Sequence, residues 1–573
     1  MTVLYLFKNK EEKMKKVIAV LLSLAMVAML AACGSGSNDT TTTTKANDQT
    51  TAAETTTAPK VIEQETVAQD EGVEIDQITL ASHSTTTLNA FGTRANAPGM
   101  YEVYEMLYEC DVYGEIQPFL ADATYDGNFM KGCDHEKGSN IYTVHIYDYI
   151  KDHKGRDVTA EDVAFSYIHA LNEENTSGWK DNLIDVRALD DSTVEFEFAA
   201  EQDGVGQLLN VFCRCVIVNE ESYNESSSHL ADEMIGTGPY KFDSYISGAE
   251  LTLVKNEDYW QTNEEVRRQE QQANVKKLVY KFIDESSQQL IGLKTGELDF
   301  CASLASKDVV DFKEGGEYAD KFNVYSYADK MVVFLAANCD ASGIMGDVNM
   351  RMAVFNSIDQ DGLITARGGY DTRLYSYACD YYTDFDWVDW ASKDNYNTKT
   401  GVDSALVKEY LEKANYNGET LTILARSGDD DDVNIIISML QAQGINATSK
   451  LVDQATAMQL QDDPSEWDIT YGTMAGDYNV TVWEHAFSYG NTSTKDKTQY
   501  HLVDDEWEEM LETCLTEAGH TPENMEKWWD RCTENAYAMG LYATIKNDVL
   551  PKNMVYYTIG DKLTALTGAS IYK

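Results

Sequence analysis

Residues 235–260, IGTGPYKFDSYISGAELTLVKNEDYW, are the stretch that decides the fold. The Gly-Thr-Gly-Pro step at residues 236–239 interrupts regular structure, and residues 240–245 and 251–254 then predict two strands joined by a turn. Glycine admits backbone torsions that are closed to other residues, so this step suits a joint where the chain leaves one lobe and enters another. The residues alone predict a strand-turn-strand unit after a flexible joint.

Length and charge exclude several classes of protein. A chain of 573 residues can form several average domains or one large multi-lobed body, so burying a core is no difficulty. Asp and Glu number 96 against 45 Lys and Arg, which gives a formal charge of −51. This charge opposes contact with nucleic acid phosphates and favours cationic or neutral small partners. We therefore predict no nucleic-acid partner.

The N-terminal region has the pattern of a secretory signal. An apolar run at residues 17–32 follows Lys15 and Lys16, and it is short for a membrane span. The alternative is a buried apolar helix followed by an ordinary cysteine. Residues 33–71 disfavour it, since they are rich in Thr, Ser, Ala and Asp and predict a flexible tether. Met14 is the more natural start of such a signal.

The end of the apolar run, Leu30-Ala31-Ala32-Cys33, resembles the lipobox of bacterial lipoproteins. The resemblance implies that Cys33 receives diacylglycerol and becomes the first residue of the mature protein. The body would then be anchored by lipid to the cell membrane on its extracytoplasmic face, at the cell surface or in the periplasm.

Several further motifs and local patterns lie in the body. Helix-like spacing predicts helices over residues 97–110 and 523–542, Asp347 is placed to cap the start of one helix, and Gly296 is placed to cap the end of another. Thr159 can cap a helix that begins Thr-Ala-Glu-Asp-Val, with Asp162 three residues on as in a capping box. Thr-Gly-Glu-Leu-Asp follows at residues 295–299, and Arg351 stands in an Arg-Met-Ala helix, where we expect it to form a structural ion pair. Together with the Gly-Thr-Gly-Pro hairpin, these motifs resemble the extracellular solute-binding proteins that feed ABC importers of the oligopeptide and dipeptide type.

This resemblance implies a fold and a domain layout. Strands alternating with helices independently predict mixed α/β lobes. The family's fold is α/β and periplasmic-binding-protein-like (class II, cluster C), with two large lobes and an extra subdomain closing on a central cleft. The implied layout is signal peptide 1–32, lipidated cysteine and tether 33–71, lobe I 72–111, lobe II 112–230, lobe I with the hinge 231–305, lobe III 306–535, and the return to lobe I 536–573.

The sequence contains no catalytic signature. Zinc-protease, nucleophile-elbow, phosphate-loop and dinucleotide motifs are all missing from it. Carboxylates are so abundant that a secreted hydrolase stays as an alternative. The acidic run at residues 429–432 lacks the spacing of a calcium loop and predicts a solvated helix start. Nine cysteines follow Cys33 with no Cys-x-x-Cys pair, so we predict mostly buried thiols, no metal site and no cofactor.

The candidate ligand site is Met474-Ala-Gly-Asp-Tyr-Asn, which follows an apolar strand. In peptide-binding members of the family, the matching aspartate holds the ligand's α-ammonium group, so the resemblance gives Asp477 that role beside Tyr478 and Asn479. An ion pair at about 4 Å and an effective dielectric near 20 is worth about 4 kcal/mol before desolvation. The alternative is a turn-forming aspartate. Met474 replaces a tryptophan of the family's aromatic wall, for which Trp483 or Phe487 could substitute.

Other residues could also face a ligand. Arg367, Arg373 and Arg426 are cations of lobe III that could meet a ligand carboxylate, and the sequence does not choose among them. Residues 380–390 mix carboxylates with aromatic rings, which suits either stacking on a ligand or simple surface packing.

The resemblance implies a monomeric substrate-binding lipoprotein of an ABC importer, and no enzyme. It would capture peptides by lobe closure about Gly236, Gly238 and Pro239 and a second crossing near residues 300–311, and deliver them to permease subunits. An oligosaccharide, a metal chelate or another solute on the same scaffold is the alternative cargo.

Overall fold

The computed structural model describes residues 75–85, 87–91, 97–110, 116–172, 183–199, 201, 208, 211–268, 271–377, 388–475, 500–516, 518–519, 521–555 and 570–571. The predicted signal peptide, Cys33 and the predicted tether lie outside these ranges.

Strands and helices alternate along most of the described chain. The strands are β1 (Ile78–Ser82), β2 (Tyr108–Cys110), β3 (Ile116–Pro118), β4 (Cys133–His135), β5 (Ile141–His145), β6 (Leu183–Asp190), β7 (Thr193–Phe198), β8 (Tyr240–Ile246), β9 (Glu250–Lys255), β10 (Lys277–Phe282), β11 (Cys301–Ala305), β12 (Phe322–Ala337), β13 (Thr372–Arg373), β14 (Thr420–Arg426), β15 (Asn446–Val452), β16 (Ile469–Ala475), β17 (Ala538–Pro551), β18 (Met554–Val555) and β19 (Ser570–Ile571). The helices are α1 (Met100–Val103), α2 (Ala160–Asn172), α3 (Glu220–Glu225), α4 (Ser286–Thr295), α5 (Val348–Phe355), α6 (Gln360–Ala366), α7 (Ser404–Lys413), α8 (Asp430–Ala442), α9 (Gln454–Gln461), α10 (Asp505–Leu515) and α11 (Pro522–Asn535).

Three sheets organise these elements. Sheet A has the order β1-β10-β9-β8, and sheet B has the order β4-β5-β7-β6. Sheet C has the order β11-β17-β12-β16-β14-β15, with β13 added beside β17. One apolar core contains buried residues of both sheet A and sheet B, such as Leu253 and Phe196. Sheet C has a separate core on each of its faces.

The hairpin predicted in the deciding segment is confirmed. Strands β8 and β9 pair antiparallel, with Tyr240 opposite Lys255 and Ile246 opposite Glu250. The prediction that the preceding glycines supply torsions closed to other residues is wrong, since neither Gly236 nor Gly238 has a positive φ. Both are instead required by close packing, because a Cβ on Gly236 would lie 2.1 Å from the Val103 carbonyl oxygen. The hinge role of Gly236, Gly238 and Pro239 stays a prediction.

The close packing at Gly236 leads to a stability prediction. We expect Gly236→Ala to lower the free energy of unfolding by about 2–3 kcal/mol, the upper part of the range for overpacking, because the added methyl group must displace backbone of the neighbouring segment. Gly248→Ala, in the β8–β9 turn, is the matched control. A Cβ added at Gly248 would have no neighbouring atom within 4 Å, so only the φ of +70° is unfavourable for alanine. We expect this variant to lower the free energy of unfolding by about 1 kcal/mol. Urea denaturation measures both, and equal effects would contradict the packing argument.

His153 holds the same segment through three hydrogen bonds to Gly236 and Gly238. The His153 backbone N–H donates to the Gly236 carbonyl at 2.9 Å. Its imidazole Nδ1 accepts the Gly236 N–H at 3.3 Å, and its Nε2 lies 3.0 Å from the Gly238 carbonyl oxygen. A backbone N–H can only donate and a carbonyl can only accept, so these contacts require the neutral imidazole protonated on Nε2. Protonation of Nδ1 would remove the acceptor for Gly236.

Burial lowers the pKa of His153 to about 4 from its ordinary value of 6.5, and the positive charge of Lys241 acts in the same direction. The neutral form is favoured in the folded state, so its stabilisation is complete above pH 6.5 and is lost as pH falls towards about 4. Because the imidazole is only half-buried, we expect an effect of about 2 kcal/mol. Urea denaturation of wild type and of His153→Gln at each pH measures this contribution. The titrating carboxylates are common to both proteins, so the difference between their free energies of unfolding reports His153 alone. A difference that is unchanged between pH 7 and pH 4 would contradict this prediction.

The segment at residues 97–110 differs from its helical prediction. Only α1 is helical, and β2 follows it after an extended stretch. Glu105 lies in that stretch, fully buried, and accepts hydrogen bonds from the Tyr259 hydroxyl and from the Trp260 indole at 2.8 Å. Burial raises the pKa of Glu105, against the effect of these hydrogen bonds. Contacts from distant residues thus override the local helical spacing.

Two other local predictions are corrected. Residues 523–542 were predicted as one helix, but α11 ends at Asn535 and β17 begins at Ala538, with Ala536 in a left-handed conformation between them. Arg351 is buried as a structural residue, but its guanidinium donates to the carbonyls of Met345, Gly346 and Asn535 rather than to a carboxylate.

Sheet C sets the geometry of the site. Strand β14 pairs in parallel with both β15 and β16, with Leu424 opposite both Lys450 and Thr470. Parallel neighbours end at the same edge of a sheet, so the last residues of β14, β15 and β16 lie along one edge. Ligands of open α/β sheets bind outside such carboxyl ends.

Candidate functional site

A cavity of about 150 Å³ lies at this carboxyl edge of sheet C. Helix α9 forms one wall through Gln454, Ala457, Met458 and Gln461. The sheet forms the opposite wall through the last three residues of β14 and through residues 470–473 of β16, with Phe334 of β12 and Tyr500 completing the lining. Helix α9 and the paired strands of sheet C therefore fix the positions of most residues that line the cavity.

A strand glycine makes room beside Phe334. A Cβ at Gly472 in β16 would lie 3.0 Å from Cζ of the Phe334 ring. Glycine inside a strand often marks such a close approach. Gly472 is therefore a sequence signal for the cavity wall, and it stands only five residues before Asp477.

The structure separates the three candidate arginines. Arg373 donates to the Asp361 carboxylate at 2.7 Å and to the backbone carbonyls of Asn397 and Lys399, and it does not line the cavity. Arg426 does line the cavity, from the end of β14. In the part of the chain that the structure describes, its one ion pair runs from Nε to Asp429 at 3.1 Å.

Arg367 is committed to a buried network. Its Nη1 atom lies 2.8 and 2.7 Å from the two oxygens of Asp432, and its Nε lies 2.7 Å from Asp371. The hydroxyls of Tyr471 and Tyr542 donate to the same Asp432 carboxylate. Burial works against the charge of Arg367, but its hydrogen bonds to the two aspartates prevail and raise its pKa.

The position of Asp432 in this network corrects the prediction that the acidic run at residues 429–432 is a solvated helix start. Asp430 and Asp431 are exposed in the first turn of α8, as a solvated helix start requires, whereas Asp432 is 6% exposed. Burial raises the pKa of Tyr471, and contact with Tyr542 and Asp432 raises it further. Tyr471 thus remains a neutral hydrogen-bond donor while its strand lines the cavity.

The predicted ammonium site lies outside the described residues, which end at Ala475 and resume at Tyr500. This applies to Asp477, Tyr478, Asn479, Trp483 and Phe487. The backbone of Met474 is described, and it lies in β16 opposite Val332 of β12. Strand β16 thus runs along the cavity and directly precedes the predicted ligand-binding loop in the chain.

Within the described ranges, no group of three or more His, Cys, Asp or Glu side chains is arranged to hold a metal ion. Seven cysteines in these ranges carry thiols rather than disulfides: Cys133, Cys213, Cys215, Cys301, Cys339, Cys514 and Cys532. Burial raises the pKa of Cys301 and of Cys514 to about 12, so both are thiols at neutral pH.

Comparison with known families decides the assignment. Residues 115–499 match the profile described as "Bacterial extracellular solute-binding proteins, family 5 Middle". The chain belongs to this solute-binding family. The family is non-enzymatic, so the cavity belongs to a binding protein.

Solved structures agree with the assignment of the fold. The oligopeptide-binding protein AppA from Bacillus subtilis, solved with a nonapeptide, superposes with a TM-score of 0.63 at 17% identity, covering 88% of this chain and all of that one. NikZ from Campylobacter jejuni, solved with Ni(L-His), gives 0.62 at 18% identity over 86% and 99%. These matches show that the chain has the mixed α/β fold of periplasmic binding proteins over nearly its full length.

Curated relatives match over shorter stretches. The oligopeptide-binding protein OppA of Bacillus subtilis (strain 168) is 23% identical over 269 residues, which are 43% of this chain and 46% of OppA. The chain thus spans about half the length of the curated relatives it matches. No helix in the described ranges has both the length and the apolar character needed to cross a bilayer.

Proposed function

We propose that this family 5 protein is the lipid-tethered receptor of an ABC importer and that it captures peptides outside the cytoplasm. The observation that supports this most strongly is a cavity at the carboxyl edge of sheet C, within a chain of the solute-binding family. Asp477 follows the strand that lines the cavity and would hold the peptide's α-ammonium group. Tyr478, Asn479, Met474 and Trp483 would flank the ligand.

Capture would occur by closure of two bodies. One is the body built on sheets A and B, which share an apolar core, and the other is built on sheet C. Strand β11 pairs with β17 of sheet C, while Phe300, just before it, bridges to Leu80 of sheet A. These pairings support a crossing between the two bodies near residues 300–311, which would act as a hinge, and the closed form would dock on the permease.

Calorimetric titration of the ligand-free mature protein with short peptides tests this proposal. Saturable binding of one peptide per molecule without cleavage is expected. Cleavage of the peptide during the titration would support the hydrolase alternative. A lack of binding by every peptide tested would exclude peptides as the cargo.

A second candidate cargo is a small non-peptide solute such as a metal chelate. Two points favour it: the family resemblance implies that Met474 replaces a tryptophan of peptide binders, and the similar NikZ structure contains Ni(L-His). A thermal-shift screen that includes nickel with L-histidine separates the two cargoes, because only the true cargo should raise the melting temperature saturably.

The proposed anchor gives a localisation prediction. We expect Cys33→Ser to abolish incorporation of labelled fatty acid and to release the protein from the membrane fraction, because Cys33 alone would carry the diacylglycerol. Ser35→Ala, two residues away, is the control and should leave labelling unchanged. Labelling of the Cys33→Ser protein at the wild-type level would contradict the lipobox assignment.

A further inference from the structure

We propose that Asn417 is a site of spontaneous covalent modification, at which the side-chain amide is lost and an aspartate or isoaspartate forms. Asn417-Gly418 is the one Asn-Gly step in the sequence, and it lies in the connection between α7 and β14. Asparagine is among the thermolabile residues of proteins. This inference does not depend on the proposed function, because it concerns a turn at the other end of β14 from the cavity.

The reaction needs only these two residues and water. The Gly418 nitrogen loses its proton to water or hydroxide and attacks Cγ of Asn417, so a new N–C bond closes a five-membered succinimide ring. The bond from Cγ to Nδ2 breaks, and the amide nitrogen takes up a proton and leaves as ammonia. Water then opens the ring at either carbonyl, which gives aspartate or isoaspartate. Nothing is oxidised or reduced.

The fold leaves this step open to the reaction. Asn417 and Gly418 are both exposed. Within the described residues, the Gly418 N–H donates to no acceptor, so the attacking nitrogen is not already held. A Cβ at Gly418 would come no nearer than 3.7 Å to a neighbouring atom, the Nδ2 of Asn446. Glycine in such open space can change its torsions readily, which lets its nitrogen turn towards the Asn417 side chain.

Comparable steps elsewhere in the described ranges are protected. Each has a small residue after Asn or Asp, and each could close the same ring with loss of ammonia or water. In three examples the nitrogen that would attack already donates a hydrogen bond, which must break first. They are Asn356-Ser357, Asp126-Gly127 and Asp361-Gly362, whose nitrogens donate to the Val354 carbonyl, the Tyr125 carbonyl and the Asp359 carboxylate at 3.0, 3.0 and 3.1 Å.

The product would disturb the contacts that hold this turn. The Asn417 N–H donates to Oε2 of Glu419 at 2.8 Å, so a new carboxylate at position 417 would lie close to an existing one. Hydrogen bonds from the backbone N–H groups of Glu419 and Asn417 lower the pKa of Glu419, so its carboxylate is charged at neutral pH. Isoaspartate would also add a methylene to the main chain beside Gly418, whose carbonyl accepts from Asn446 at 2.8 Å. The disturbance would lie about 20 Å from Arg426, at the far end of a seven-residue strand.

Peptide mapping by mass spectrometry tests the proposal on the purified mature protein, incubated at mildly alkaline pH. The peptide that contains Asn417 should show the mass change of an amide converted to an acid, and it should become a substrate for an isoaspartate methyltransferase. Asn415, exposed in the same connection but followed by Tyr416, is the internal control. It should react about 10-fold more slowly or less, because the following side chain restricts the backbone. Equal rates at the two positions would overturn the proposal.

A variant and a change of conditions separate the chemistry from the fold. Asn417→Gln, at an exposed position, should fold normally and lose the modification, because its longer side chain would have to close a six-membered ring. In wild type, unfolding by urea frees the Ser357 nitrogen, so the ratio of modification at Asn417 to that at Asn356 should fall. Methyltransferase labelling of the turn that persists in Asn417→Gln, or a ratio that is the same in folded and unfolded protein, would contradict the assignment.

Discussion

Replacing Asp477 by alanine is expected to weaken binding of peptides with a free amino terminus by about 30- to 1000-fold. The variant would leave an ammonium group without its counter-charge in a closed site, and truncating one partner of such a pair costs about 2–4 kcal/mol. Isothermal titration calorimetry with Ala-Ala-Ala measures the loss.

Two controls identify the ammonium contact. Acetylated Ala-Ala-Ala lacks the charge, so its affinity should be weak for wild type and unchanged in the variant. Asp431→Ala removes an exposed carboxylate from the first turn of α8 and should leave both affinities unaltered. An Asp477→Ala protein that binds the free peptide as tightly as wild type would refute the role of Asp477 and leave the family assignment intact.

The second large effect is on stability. Asp432→Ala is expected to lower the free energy of unfolding by about 3–5 kcal/mol, because it leaves the half-buried Arg367 without its bidentate partner and two tyrosine hydroxyls without their acceptor. Urea denaturation followed by tryptophan fluorescence measures this change.

The adjacent Asp431 gives a matched control for stability as well. Its carboxylate is exposed on the same helical turn, so Asp431→Ala should change the free energy of unfolding by less than about 0.5 kcal/mol. Similar losses in the two variants would mean that the buried network contributes no more than a surface charge. Asp431 and Asp432 are neighbours in one acidic run, and the fold places Asp432 in the buried network while Asp431 stays exposed.

Local signals in the sequence predicted much of the fold. The β8–β9 hairpin, the left-handed Gly296 at the end of α4 and the Asp347 cap of α5 are all confirmed. Each depends on interactions between residues close in the chain, which a sequence displays directly. The mixed α/β periplasmic-binding-protein fold was implied by the resemblance to the family, and the full-length structural matches confirm it.

Features that depend on distant residues could not be predicted in this way. Glu105 interrupts a helical pattern because Tyr259 and Trp260 reach it from more than 150 positions away. Gly236 is needed because Val103 backbone passes against it, and local torsion gives no sign of that contact. Choosing among Arg367, Arg373 and Arg426 likewise required the positions of Asp432 and Asp361 and of the cavity.

We expect this molecule to bind a solute and to return it unchanged. Equilibrium dialysis of the ligand-free mature protein against a defined mixture of short peptides, followed by mass spectrometry of the retained fraction, tests it most directly. We predict that peptides are retained to a limit of one per molecule and that they are recovered with unaltered masses. Recovery of cleaved peptides, or retention of none together with no response to any other small solute, would contradict the account.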